Sequence, residues 1–211
     1  MTLISLSTCA DADPRNQAPP GAPVMLELAR ALSRERTPHR GFVFLIVTAA
    51  PQGLLGLEAY LEDPLFSRHT TRAAIHIAGF DANGGDEKAL AIIGIGYEAL
   101  KGLVREEAAD QFRVAAGDLD PERLRYFRSA REAYTLREIP SVFLSSGRPH
   151  ERTGEQLDMS IGAMDARLFF HVGMRVATTD NWPAWTPSRS LADYAPAISA
   201  MDDKRRARSV R

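Results

Sequence analysis

FVFLIVTAAPQGLLGLEAYLEDPLF, residues Phe42–Phe66, is the stretch whose reading decides the fold. Phe42–Val47 is a continuous apolar run rich in β-branched and aromatic residues, the pattern of a strand covered on both faces. A helix follows from about Gln52 to Glu62 and stops before Asp63-Pro64, since the residue ahead of a proline is pushed out of the α region. Strand and helix thus alternate within 25 residues, as in the units that build a parallel sheet.

The same alternation extends outward in both directions. Upstream, Thr2–Thr8 sets Leu3, Ile4 and Leu6 among small hydroxyl residues and reads as a short strand. Asp11–Pro23, with Pro14, Pro19, Pro20, Gly21 and Pro23, is loop. Val24–Arg34 is a helix with Val24, Leu28, Ala31 and Leu32 on one face. Downstream, Thr71–Ala78 and Ala89–Ile93 read as strands, with a turn over Phe80–Glu87 between them and a helix to about Ala109 after them. Asp118–Arg137 is charged and helical in parts, broken at Pro121. Pro140–Leu144 is a strand. A long last helix, capped by Asp158, runs to about Thr178 with Ile161, Met164, Leu168, Val172 and Val176 on its apolar face. The expected fold is α/β, a three-layer α/β/α sandwich around a mostly parallel or mixed central sheet. Without internal repeats or low-complexity blocks, residues 1–190 read as one domain and 191–211 as an irregular, flexible basic tail ending in KRRARSVR.

Composition narrows the function classes. The 211 residues are 45% hydrophobic and 25% charged, an ordinary globular balance, and the net charge of −1 speaks against a nucleic-acid-binding surface. The lone Cys9 excludes an internal disulfide and any multi-cysteine zinc site. No run approaches the roughly 18 apolar residues of a membrane span. The start, MTLISLSTCADAD, lacks the basic residue and apolar length of a secretory leader, so a cytoplasmic location is the default expectation.

The motifs that carry chemistry elsewhere are weak here. Gly94-Ile95-Gly96 opens like a dinucleotide fingerprint but has Ala99 in the third glycine's place and no acidic residue at the expected distance, so a cramped strand-to-helix turn explains it. Among His39, His69, His76, His150 and His171 there is no i, i+4 pair and no His-x-His or His-x-Asp. His76, in an apolar strand, reads as a core histidine with one nitrogen satisfied, and His171 as a structural residue of the last helix. Ser145-Ser146-Gly147 is a strand-ending turn rather than a nucleophile elbow.

Longer strings are more specific. LELARAL (Leu26–Leu32), FVFLIVTA and QGLLGLEAYLEDPLF (Phe42–Phe66), YFRS (Tyr126–Ser129), IPSVFLSSG (Ile139–Gly147) and LFFHVGMRVATTDNWPAWTP (Leu168–Pro187) together resemble the di-zinc aminopeptidases of metallopeptidase family 28, in that family's order from Leu3 to about Pro187. The resemblance implies an α/β/α sandwich with a zinc cleft at the strand ends. It also implies two zinc ions held by histidines and carboxylates, with a glutamate that deprotonates the bridging water.

The residues at those places are different. Where the family's first histidine ends the first strand, this chain has Ser7, Thr8 and Cys9. The block that would carry the bridging aspartate is Pro19-Pro20-Gly21-Ala22-Pro23, and the paired glutamates are Ala50 and Pro51. The next aspartate aligns with His76 and Ala78, a Ser-Asp-His flanking the cleft with Ser129-Ala130-Arg131, and the last histidine with His150. Ser7, Ala50, Pro51, Ala78, Ala130 and His150 therefore make a vestigial cleft, with no catalytic, cofactor-binding or metal-ligating residue expected. Alanine and proline side chains have no lone pair for a cation, and zinc takes three or four N, O or S donors.

Three functions compete. The first is a catalytically inactive, peptidase-like binding or interaction module without zinc. The second is a metallo-aminopeptidase or other hydrolase with substituted ligands drawn from Asp11, Asp13, His76, Asp81 and His150. The third is a hydrolase using Ser7, Cys9 or Ser146. A protein partner or second copy is expected on an exposed sheet edge near Leu3–Leu6 or on the closing helix. Trp182 and Trp185, in WPAW, are expected to fold back over the domain.

Overall fold

The computed structural model describes residues 3–9, 21–36, 38–48, 55–80, 89–93, 98–117, 133, 134, 137, 139–146 and 159–180. In chain order they form β1 (Leu3–Cys9), α1 (Gly21–Leu32), β2 (Gly41–Val47), α2 (Leu55–Glu62), a single 3-10 turn (Arg68–Thr70), β3 (Thr71–Phe80), β4 (Ala89–Ile93), α3 (Glu98–Asp110), β5 (Val114–Gly117), β6 (Ser141–Ser146) and α4 (Met159–Thr178). The sheet has six strands in the order β2-β1-β3-β6-β4-β5. The first four run parallel, β4 runs antiparallel to β6, and β5 lies parallel to β4.

Alternation along the strands divides the core between two faces. Ile4 and Leu6 of β1, Ile75 and Ile77 of β3, and Val142 and Leu144 of β6 pack with Met25, Leu28 and Leu32 of α1, Val104 of α3, and Leu168, Val172 and Val176 of α4. On the opposite face Ala74 and Phe143 pack with Leu57 and Leu61 of α2, Val47, Tyr134 and Ile139. Helices therefore cover both faces of a mixed sheet, and the fold is an α/β/α sandwich. No helix among the described residues is long and apolar enough to cross a membrane.

Local devices fix the helix ends. The guanidinium of Arg40 donates to the carbonyls of Val176 and Thr179 at 2.8 and 2.6 Å, and the His39 N–H donates to the Ala177 carbonyl at 3.1 Å. A cation thus sits on the negative end of α4. Helix α3 stops where Phe112 takes φ 57°, while the Arg113 N–H donates back to the Ala108 carbonyl at 2.8 Å. That is a left-handed C-terminal cap made without glycine.

Three expectations change. β1 is not an edge: it pairs with β2 on one side and β3 on the other, because the chain crosses back past it after β2. An exposed edge near Leu3–Leu6 is therefore ruled out, and among the described residues the outer strands are β2 and β5. The Phe42–Val47 run has helices over both faces, yet most of its side chains stay half-buried and Ile46 is 42% exposed, and among the described residues β2 has a strand on one side only. Val114–Gly117, not recognised as a strand, is the other outer member of the sheet. The Gly94-Ile95-Gly96 turn, the Asp158 cap, the two tryptophans and the 191–211 tail lie outside the described residues.

Candidate functional site

The strand order reverses at β1, with β2 to one side and β3 to the other. In open parallel sheets, ligands bind outside the carboxyl ends of the strands at such a switch point. Here those ends are Ser7-Thr8-Cys9 of β1 and His76 onward in β3, and the register sets Ser7 directly opposite His76. The helices that leave these strands come in close. A Cβ on Gly21, the first residue of α1, would overlap the Thr8 hydroxyl. That hydroxyl donates to the Ile77 carbonyl at 2.9 Å and so ties the two strand ends together.

On the α2 face the polar side chains form one buried chain of hydrogen bonds. The Tyr134 hydroxyl donates to Ser7 Oγ at 3.1 Å, Ser7 Oγ lies 2.9 Å from His76 Nδ1, and Ser5 Oγ lies 3.3 Å from the Tyr134 oxygen. Tyr134 gives its proton to Ser7, and the tautomer of His76 sets which partner donates in the bond between Ser7 and Nδ1. The His76 ring packs against Phe143 with centroids 4.9 Å apart. Burial pushes the imidazole down to about 3 from its ordinary 6.5, because no water remains to stabilise the cation.

Chemically, this resembles a serine activated by histidine in distance but not in circumstance. Ser7 and His76 are 0% and 2% exposed, so the hydroxyl faces core and not substrate. An imidazole held near 3 is a poor proton acceptor at neutral pH.

The model of peptidase family M28 matches residues 20–185. The chain belongs to peptidase family M28. Solved structures carry the same fold. A zinc aminopeptidase from Bacillus subtilis superposes with a TM-score of 0.67 at 14% identity, over 88% of this chain and 48% of that one. An aminopeptidase from Aneurinibacillus sp. strain AM-1 gives 0.64 at 18% identity, over 90% and 48%. A glutaminyl cyclase from Porphyromonas gingivalis gives 0.58 at 14%, over 81% and 71%. The M28 chain described here spans about half the length of the two aminopeptidases. No curated protein sequence matches it significantly.

The M28 resemblance implies zinc, and the donors at the switch point can be tested for it. Zinc needs three or four donors whose lone pairs point at one spot. Ser7 and Thr8 offer hydroxyls that are already bonded, and His76 Nδ1 is hydrogen-bonded to Ser7 Oγ. Among the described residues no group of three or more His, Cys, Asp and Glu is close enough to hold a metal ion. The described part of the site does not fit the ion. Of the vestigial-cleft residues, Ser7 ends β1 and Ala78 lies within β3, while Ala50, Pro51, Ala130 and His150 lie outside the described residues. So do Asp11, Asp13 and Asp81; Cys9 and Ser146 are placed only as the last residues of β1 and β6. The structure adds two residues that sequence reasoning missed, Ser5 and Tyr134. Tyr134 lies 127 residues from Ser7, and nothing local in either segment announces the contact.

Proposed function

We propose that this M28 chain is a catalytically inactive, aminopeptidase-like domain that serves as a binding or interaction module and takes no zinc. The bond between Ser7 and His76 supports this reading above all, because at the strand ends where the resemblance implies metal ligands it sets a neutral, buried, mutually hydrogen-bonded pair. The sequence supports it too, with Ala50 and Pro51 where paired glutamates are implied. Carboxylates clustered without a metal would repel one another, so their exchange for neutral residues suits a scaffold that has given up the cation.

Elemental analysis of the purified protein, with turnover of an aminoacyl-anilide, tests the proposal. The expected result is zinc well below one ion per chain and no turnover above background. Stoichiometric zinc together with turnover would overturn it in favour of a hydrolase with substituted ligands.

A further inference from the structure

We draw no further inference here: the strongest candidate, the exposed apolar surface of Phe112 and Val114 at the turn from α3 into β5, carries nothing because nothing in the structure shows what covers it.

Discussion

Ser7 works with one hydroxyl on two neighbours, accepting from Tyr134 and sharing a 2.9 Å hydrogen bond with His76 Nδ1. Ser7→Ala would take one buried hydrogen bond from each of those groups, and a buried polar group that loses a partner costs about 1–3 kcal/mol. We expect a loss of about 2 kcal/mol or more in urea unfolding, and no measurable loss would show that water reaches the pair. His76 makes the same site sensitive to acid. Its unfolded imidazole takes a proton below about 6.5, while the folded one waits until about 3. Between those values the unfolded state binds more protons, so the stability that is complete above 6.5 drains away as pH falls, by at most about 1.4 kcal/mol per pH unit. His76→Gln should flatten urea midpoints measured from pH 7 to pH 4; an unchanged slope would place the titration elsewhere. At this scale the sequence was half legible. The apolar run Ala73–Ile77 marked His76 as a core residue, but its partner Ser7 is 69 positions away and was set opposite it by sheet register, which no local pattern records.

Elements were read more successfully than their arrangement. Periodicity located β1, β2, β3, β4 and β6 and the four helices because each carries its own apolar pattern over five or more residues. β5 escaped because VAAG is short and has neither alternation nor a β-branched run. The turn of α1 was off by one position: Met25 faces the core with Leu28 and Leu32, and Val24 is only partly covered. Sheet order was not legible, since which strand pairs with which depends on crossovers between faces. Where elements touch, glycine decides the spacing. A Cβ on Gly56 would stand 2.8 Å from the Thr48 backbone nitrogen and 3.0 Å from its oxygen, and backbone cannot swing aside. Gly102 in α3 has open space around the same position. Gly56→Ala is expected to cost about 1–3 kcal/mol by prising α2 from the end of β2. Gly102→Ala is expected to gain close to ~1 kcal/mol of helix propensity. Thermal melts of the two variants should move in opposite directions, and two shifts of the same sign would refute the packing described.

Across the whole molecule, a fully buried ion pair ties the β4–β5 side of the sheet to the long last helix, which also pairs through Arg175 with Glu106 and Glu107 of α3. Arg113, between the α3 cap and β5, reaches Asp165 of α4 at 2.7 Å, and both side chains are 0% exposed. No sequence pattern marked it, because Asp165 falls within the apolar face of α4 and Arg113 looks like a surface residue next to Phe112 until the chain turns inward. The pair is also imperfectly served: among the described residues Arg113 Nε and Nη2 find no hydrogen-bond partner. Taking two charges out of water is expensive, so such a pair adds less net stability than its distance suggests, while breaking one half leaves an uncompensated buried charge. The two effects separate cleanly in a mutant cycle. Asp165→Ala should cost about 3–5 kcal/mol, and Arg113→Met alone should also be severe. Arg113→Met with Asp165→Leu, which removes both charges and keeps the volume, should return to within about 2 kcal/mol of the parent chain. Urea unfolding of the four proteins measures the coupling. If the double variant loses the sum of the two single losses, the charges are not acting on each other, and the join of α3 and β5 to α4 rests instead on the apolar cluster of Leu100, Val104, Ala108, Leu168 and Val172 with the Arg175 pairs to Glu106 and Glu107.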